Sequence, residues 1–223
     1  MNSNKVIAID GYASTGKSTL AKMLSQHYNL NFIDSGAFYR AVTLFALEEG
    51  FLKDNYFDQV ALESALEKLT LKFEPETRFL FLNGENISNK IRLARVSDHV
   101  SSIAAFPIVR KFLLYQQRQM ANENGLVMDG RDIGTIVFPN ADHKFFFTAR
   151  PEVRARRRYD ELINQGQEIT FDEVLNNLIH RDKTDIARDI APLRKADDAL
   201  EIDTSEVTLD QVFNYLLEKI DSK

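Results

Sequence analysis

Short apolar runs alternate with helical patterns along most of the chain. Val6 to Ile9 is a β-branched run followed by glycine, and apolar residues at 20, 24 and 28 then predict a helix over 20–28. Leu126 to Met128 and Lys144 to Phe147 are two further buried-strand candidates. Strands that alternate with helices predict an α/β fold, in which helices cover both faces of a parallel sheet.

The last third of the chain continues this alternation. An arginine-rich helix is predicted from Pro151 to Gly166, with proline in its first turn and glycine past its end. A second helix begins at Thr170 with a capping-box pattern and is expected to run to Asp189, before Pro192. A strand over 199–202 and a closing helix over 208–220 complete the predicted fold.

Residues 71–87 have a different pattern, typical of an antiparallel hairpin. Leu71–Glu74 and Arg78–Leu82 flank a Pro-Glu-Thr turn, and the second segment ends at Asn83-Gly84. We therefore predict a small antiparallel insert, covering about 53–90, that decorates the main sheet.

Length and composition describe a globular chain. The 223 residues, 44% of them hydrophobic and 27% charged, allow one or two domains with a buried core. The formal charge of −5 argues against a general electrostatic attraction to nucleic acid or to an anionic membrane. The start of the chain shows no signal-peptide pattern and no stretch is long enough to span a bilayer, so a cytoplasmic location is expected.

Cysteine and histidine usage excludes several chemistries. The chain has no cysteine, hence no disulfide, thiol nucleophile or thiolate metal site. Its four histidines are scattered, without a pair at metal-ligand spacing. A zinc enzyme is therefore not expected.

A phosphate-binding motif lies between the first strand and the first helix. Residues 11–18 fit the pattern G-x-x-x-x-G-K-[ST]. Such a loop directs backbone N–H groups and the positive end of the following helix toward a polyphosphate, while Lys17 would reach the terminal phosphates. The alternative is a chance glycine turn before a helix. The motif and its context favour a fold of the P-loop NTPase type, with a nucleoside triphosphate site.

Two oxygen-bearing side chains are candidates for Mg²⁺. The Ser18 hydroxyl follows the motif lysine, and Asp129 ends an apolar run as a Walker-B aspartate does. The alternative for Asp129 is an ordinary turn residue at the end of a strand. A guanine-reading Asn-Lys-x-Asp, as a GTPase would need, is not found at Asn89-Lys90-Ile91-Arg92.

Arginines are abundant at positions that could surround a second phosphorylated ligand. Guanidinium groups suit phosphate because they bind two oxygens at once and stay charged. On the predicted helix 170–189, Arg181, Asp185 and Arg188 share one face. The alternative is a surface ion pair, stabilising by about 0.3–0.5 kcal/mol. The full set of candidate arginines is Arg40, Arg110, Arg131, Arg154, Arg157, Arg181 and Arg188.

Five arginines lie between positions 150 and 158. Arg154, Arg157 and Arg158 share a helical face, and their mutual repulsion favours an anionic partner. In a triphosphate-binding protein this region, about 150–168, could be a lid that closes over the phosphates. The alternatives are a solvated charged face or a basic patch for nucleic acid.

Together these motifs resemble those of bacterial cytidylate kinases, nucleoside monophosphate kinases of the P-loop group. The resemblance covers nearly the whole chain and keeps the family's motif order. It rests on residues 11–19, Asp34 to Arg40, Val100 to Pro107 leading to Arg110, Asp129 to Thr135, the arginines of 154–158, and Arg181-Asp182 through to Leu193.

The resemblance implies a single kinase domain over 1–223, with a monophosphate-binding insert at about 35–110 and a lid. It implies the substrates MgATP and CMP or dCMP, so that ADP and CDP or dCDP are formed. The residues it assigns to ATP are Gly11, Tyr12, Ala13, Ser14, Thr15, Gly16, Lys17, Ser18 and Thr19. Those it assigns to CMP are Ser35, Arg40, Ser101, Arg110, Arg131, Asp132, Arg181, Asp185 and Arg188. The groups expected to act on the transferred phosphate are Lys17, Arg40, Arg131, Arg157 and Arg188.

The resemblance also implies that Ser101, Arg110 and Asp132 recognise the base. For Asp132 the chemistry is reasonable, since a carboxylate can accept from the cytosine amine that uracil lacks. Structural alternatives remain for several residues. Ser35 and Ser101 could cap helices, Arg110 could cover a helix surface, and Asp132 could pair with Arg131.

The sequence departs from the usual family pattern at three positions. Tyr12 replaces a proline, Leu93 a threonine and Arg150 a serine.

Two rival functions stay open: a P-loop kinase acting on AMP, UMP or another metabolite, and an ATP-dependent nucleic-acid-binding module. The expected protein is nevertheless a monomer with no nucleic-acid or membrane partner.

Overall fold

The structure is a computed structural model that describes residues 5–53, 56–74, 77, 79–121 and 125–222. The chain forms two compact units. We call Met1–Ile33 together with Asn122–Lys223 the core unit, and Asp34–Ala121 the insert unit. The insert unit begins beside the predicted start of the insert at 35 and extends past its predicted end at 110.

Strands and helices alternate at both ends of the chain. In chain order they are β1 (Val6–Gly11), α1 (Lys17–Tyr28), β2 (Asn31–Asp34), α2 (Ser35–Glu48), β3 (Leu52–Lys53), β4 (Tyr56–Phe57), α3 (Gln59–Leu66), β5 (Leu71–Glu74), β6 (Phe79–Leu82), β7 (Glu85–Asn86), α4 (Ala94–Ile103), α5 (Pro107–Gln119), β8 (Leu126–Gly130), β9 (His143–Thr148), α6 (Pro151–Asn164), α7 (Phe171–Ile186), β10 (Leu200–Asp203) and α8 (Leu209–Asp221).

The main sheet has five strands in the order β10-β9-β1-β8-β2. Strand β1 pairs in parallel with β8 and β9, and β10 pairs in parallel with β9. The register sets Gly11 opposite Phe147 and Asp10 opposite Gly130. The carboxyl ends of these strands therefore lie along one edge of the sheet, where ligands of open α/β proteins bind.

Both faces of this sheet are covered. On one face, Ile9 and Phe147 are fully buried against Leu20 and Leu24 of α1 and Leu216 of α8. Residues of the opposite face, such as Ala8 and Met128, are fully buried as well. Each large apolar side chain contributes about 1.5–3 kcal/mol on burial. The α/β fold class and the parallel sheet are confirmed.

Helix α7 is shorter than predicted. It begins after Thr170, whose hydroxyl and Glu173 form the expected capping box, but it ends at Ile186 instead of Asp189. The backbone turns back here, because the N–H of Leu193 donates to the carbonyl of Asp185 at 2.8 Å. That carbonyl would otherwise accept from residue 189 in a continuing helix. Arg188 therefore lies beyond the helix. The prediction that Arg181, Asp185 and Arg188 share one helical face is wrong for Arg188.

The insert unit is more helical than predicted. The hairpin of β5 and β6 is confirmed, with Leu71 opposite Leu82, and β7 adds a third antiparallel strand. The predicted turn at 75–76 and residue 78 lie outside the described residues. Helix α3, however, interrupts the region predicted as an antiparallel insert. Asp58 caps this helix by accepting from the N–H of Ala61 at 2.9 Å, and Leu62 and Leu66 bury one of its faces.

Within the described part of the chain, no helix is both long and apolar enough to cross a bilayer.

Candidate active site

The phosphate loop forms as predicted, between the carboxyl end of β1 and the start of α1. Gly11 has a φ of +138°, and a Cβ atom there would lie 2.0 Å from the carbonyl oxygen of Phe147. The next residue, Tyr12, donates its N–H to that same oxygen at 3.1 Å. Only glycine allows the loop to leave the sheet at this distance from β9.

Lys17 is the first residue of α1 and is buried under the loop. Its ammonium group donates to the carbonyl of Tyr12 and lies 3.4 Å from the Thr15 hydroxyl. Burial, and then the positive charge of Arg131, lower the pKa of Lys17 to about 7. A phosphate beside Lys17 would favour the charged form of the amine, so anion binding and lysine protonation support each other.

Ser18 and Asp129 lie in direct contact. The Ser18 hydroxyl donates to Oδ2 of Asp129 at 2.6 Å, with Asp129 buried in β8. One hydroxyl and one carboxylate fit Mg²⁺, which prefers oxygen ligands and keeps several waters or phosphate oxygens. Among the residues that the structure describes, no group of three or more His, Cys, Asp or Glu could hold a metal ion by itself.

Asp10 is a site residue that the sequence did not single out. It lies in β1 directly before Gly11, and its two carboxylate oxygens accept from the N–H groups of Ile133 and Gly134 at 2.7 Å each. Burial raises the pKa of Asp10 to about 7, although these two N–H groups favour the charged form. Asp10 thereby fixes the backbone that follows Asp132.

Asp132 is buried and precedes a π-helical turn over Ile133–Val137. Such turns are rare and are found frequently at functional sites. The turn fixes the direction of the chain after β8, so Asp132 is held near the carboxyl edge of the sheet. Its role in base recognition stays a prediction.

A buried ion network joins three of the predicted acceptor residues. Nε of Arg131 donates to Oδ2 of Asp185 at 2.9 Å, and Nη2 of Arg188 donates to Oδ1 of the same carboxylate. Burial alone would raise the pKa of Asp185, but Arg131 and Arg188 outweigh it and hold the pKa below its ordinary value. The positive charge of Arg181 adds to this effect. Asp185 is only 3% exposed, so the alternative of a surface ion pair is wrong for this residue.

Two predicted acceptor residues of the insert unit lie on α2. Ser35 is buried in the first turn, and the N-cap is Asp34, whose Oδ1 accepts from the N–H of Ala37 at 3.2 Å. Capping is therefore not the role of Ser35. Nη1 of Arg40 donates to the Ser97 hydroxyl of α4 at 2.7 Å.

The other two predicted acceptor residues of the insert unit lie on α4 and α5. Ser101 is near the C-terminal end of α4, so it does not cap the N-terminus of that helix. Arg110 is buried on α5, where Nη1 donates to the carbonyl of Ala104 at 2.8 Å and the guanidinium carbon is 5.3 Å from the Tyr39 ring centroid. It does not cover an exposed helix surface, as the alternative required.

The arginines at the start of α6 are matched by partners within the core unit. Arg154 is buried and pairs with Asp182 of α7 at 2.7 Å. Arg157 donates to Thr204, and Arg158 pairs with Glu161 at 2.8 Å. The ion pairs of Arg154 and Arg158 offset part of the mutual repulsion that would favour an anionic partner. The lid function of α6 stays a prediction.

Tyr12, one of the departures from the usual family pattern, links the phosphate loop to α6. The guanidinium carbon of Arg154 is 5.0 Å from the centroid of the Tyr12 ring, which also contacts Phe146 edge-on at 6.0 Å. A cation over an aromatic ring contributes about 0.5–2 kcal/mol, more when it is buried. A proline at position 12 could not make this contact.

The core unit thus brings together Lys17, Ser18, Asp129, Arg131, Asp185 and Arg188, all predicted from the sequence. It adds Asp10 and Thr204, which were missed, and Asp182, which lies in one of the quoted motifs but was assigned no role. Their chemistry depends on partners far away in the chain, and the one available signal was that Asp10 and Thr204 lie at strand ends.

The fold and the phosphate loop define a P-loop nucleotide-binding protein of the α/β class. The comparison with known sequences is more specific. A family model described as cytidylate kinase matches residues 7–222, and the chain belongs to that family. Proteins named cytidylate kinase from Phocaeicola vulgatus and Fusobacterium nucleatum are 48% and 44% identical to it. These matches cover 96% of this chain and 95% of the first relative, and 98% of this chain and of the second.

Solved structures resemble the chain at the level of the fold. An uncharacterized protein from Eubacterium ventriosum matches with a TM-score of 0.52 and 16% identity, over 99% of both chains. A gluconokinase from Sinorhizobium meliloti matches with a TM-score of 0.50 and 12% identity, over 100% of this chain and 94% of the other. At such low identity the similarity concerns the fold alone.

Proposed function

We propose that the protein transfers the γ-phosphoryl group of ATP to CMP or dCMP, so that ADP and CDP or dCDP are formed. The observation that carries this proposal is the match to the cytidylate kinase family over residues 7–222. The phosphate loop supports it independently, because its glycine exit, buried lysine and helix N-terminus are those of a triphosphate site.

On the donor side, the chain supplies backbone N–H groups and Lys17. Lys17 lies inside the loop, where its ammonium group donates to the Tyr12 carbonyl. Ser18 and Asp129 would hold Mg²⁺. The ion would add positive charge where negative charge develops in phosphoryl transfer.

On the acceptor side, a strong general base is not required. A phosphate monoester has a second pKa near 6 and is mostly dianionic at neutral pH. The work of the protein is to position two anions in line and to offset their charge. Asp185 supports this by holding the guanidinium groups of Arg131 and Arg188 together, and guanidinium groups suit phosphate oxygens because they stay charged and donate two hydrogen bonds at once.

The experiment that tests the proposed function measures ADP release with CMP, dCMP, UMP or AMP as the single acceptor. We expect rapid release with CMP or dCMP and much slower release with AMP. Turnover that prefers AMP or another metabolite would instead support a different P-loop kinase. Binding to DNA or RNA that weakens steeply with salt, without acceptor-dependent turnover, would support a nucleic-acid-binding module.

Replacing Asp132 by alanine tests the proposed base recognition. A carboxylate accepts from the cytosine amine but repels the carbonyl oxygen that uracil carries at that position. We expect Asp132→Ala to reduce the preference for CMP over UMP by about tenfold or more, since such contacts contribute about 1–3 kcal/mol. The measurement is the ratio of kcat/KM for the two acceptors.

Asp160→Ala, at an exposed position of α6, is the control and should keep the wild-type ratio. An equal loss for both acceptors in Asp132→Ala, with the ratio intact, would contradict base recognition by Asp132.

The assignments of Ser35, Ser101 and Arg181 to CMP belong to this proposal, as does the lid role of α6. So do a monomeric state, a cytoplasmic location and the absence of nucleic-acid and membrane partners.

A further inference from the structure

Thr204 connects three parts of the core unit through one buried hydroxyl group. It follows β10, is 3% exposed, and lies beside the phosphate loop, the end of β9 and helix α6. Its Oγ1 lies 3.1 Å from the carbonyl oxygen of Thr15 and 3.3 Å from that of Thr148. Nη1 of Arg157 lies 3.0 Å from the same Oγ1.

These distances determine where the hydroxyl proton points. Arg157 can only donate, so the Thr204 oxygen accepts from it and must direct its own proton to a carbonyl. The Thr148 carbonyl already accepts from the backbone N–H of Thr204 at 2.9 Å. The Thr15 carbonyl is the nearer of the two and is therefore the better acceptor for this proton.

The contact with Thr15 fixes one peptide group of the phosphate loop. In a planar trans peptide, the carbonyl of Thr15 and the N–H of Gly16 point in opposite directions. Because Thr204 holds the carbonyl toward the buried side of the loop, the N–H of Gly16 faces the side from which a phosphate approaches.

Without the contact from Thr204, the Thr15–Gly16 peptide group would rotate easily. Gly16 has φ and ψ values of 90° and 2°, a left-handed conformation, and glycine adopts positive and negative φ with similar ease. A rotated peptide would direct the Thr15 carbonyl oxygen, instead of an N–H group, at the phosphates. Replacing an attraction by a repulsion would weaken the binding of any polyphosphate.

We propose that Thr204 is a positioning residue that holds the Thr15–Gly16 peptide in the orientation that binds the phosphates of ATP, with Arg157 orienting its hydroxyl. The proposal rests on the proposed function for the identity of the nucleotide. It gives Arg157 a role that acts through the phosphate loop.

Thr204→Val tests the proposal, because valine keeps the shape of threonine and removes the hydroxyl. We expect the dissociation constant for ADP and the KM for ATP to rise about fivefold to tenfold, with the KM for CMP unchanged. Thr204→Ser keeps the hydroxyl and should restore both values to near those of the wild type. Thr204→Ala provides a second deletion of the hydroxyl should the valine variant fail to fold.

Thr43→Val is the matched control. Thr43 is also fully buried, and its hydroxyl donates to the carbonyl of Tyr39 at 2.8 Å in the insert unit. This variant should leave ADP affinity unchanged. Wild-type ADP affinity in the hydroxyl-free variants would overturn the proposal, as would a serine variant that binds ADP as weakly as they do. ADP binding is measured without an acceptor. A failure of the Thr204 proposal can therefore be distinguished from a failure of the proposed function, in which the wild-type enzyme would not phosphorylate CMP.

Discussion

Lys17→Ala should lower kcat by about 10²- to 10³-fold, the loss typical when one preorganised group that stabilises transition-state charge is removed. Lys17 is the buried cation of the phosphate loop, and its ammonium group contacts the loop carbonyl of Tyr12. The measurement is the initial rate of ADP formation at saturating ATP and CMP.

The variant should remain folded. Burial lowers the pKa of Lys17 to about 7, which means that the native state bears a cost for holding a charged amine there. Alanine removes this cost together with the packing of the side-chain stem. The melting temperature should therefore change little.

Lys22→Ala is the matched control for this experiment, because Lys22 is an exposed lysine on the same helix. It should retain the wild-type kcat. Near-normal turnover in Lys17→Ala would contradict the assignment of residues 11–18 as the catalytic phosphate loop.

The sequence predicted the parts of the fold that depend on local patterns. The strand, loop and helix around residues 6–28 follow from a β-branched run, two glycines and helical periodicity. The capping-box pattern at Thr170 likewise predicted the start of α7. These features are confirmed because the residues that determine them lie within a few positions of one another.

The parts that could not be predicted depend on contacts between distant positions. The end of α7 is set by a hydrogen bond from Leu193, and the burial of Arg154 requires Asp182 on another helix. From the sequence, the arginines of 150–158 indicated one exposed positive face. The pairing of Arg154 with Asp182, and of Arg150 with Glu206 at a separation of 56 positions, is visible only once the chain has folded.

The same distinction between local patterns and contacts of distant positions applies to the candidate active site. Lys17 and Ser18 are fixed by a contiguous motif, whereas Asp10 and Thr204 act on backbone groups that are more than 120 positions away in the chain. A buried carboxylate that accepts two backbone N–H groups has no signature in its own neighbourhood. Such residues shape the loops that carry the chemistry without belonging to any motif.

Asp185→Ala should destabilise the protein by about 3–5 kcal/mol, the cost typical of removing one partner from a buried ion pair. Asp185 receives hydrogen bonds from both Arg131 and Arg188, whose side chains are 21% and 6% exposed. Without the carboxylate, two positive groups would face each other in a poorly solvated environment. The measurement is the free energy of unfolding in urea at neutral pH.

The pH dependence of this difference follows from the pKa of Asp185, which Arg131 and Arg188 hold below its ordinary value against the effect of burial. A carboxyl whose pKa is lower in the folded state stabilises the fold above its unfolded pKa, and loses this contribution as the pH falls through the folded pKa. The difference in the free energy of unfolding between the wild type and Asp185→Ala should therefore have its full value at neutral pH and decrease in acid. Asp189→Ala, at an exposed position just beyond α7, should change stability by no more than about 0.5 kcal/mol.

Inorganic phosphate provides the link between this network and the acceptor. If Arg131 and Arg188 bind the phosphate of CMP, an added anion should partly replace the missing carboxylate and stabilise Asp185→Ala more than the wild type. A larger rise in melting temperature for the variant is the expected result. A variant that is as stable as the wild type, or one that phosphate stabilises no more than the wild type, would contradict a shared role of Asp185 in holding these two arginines for an anionic substrate.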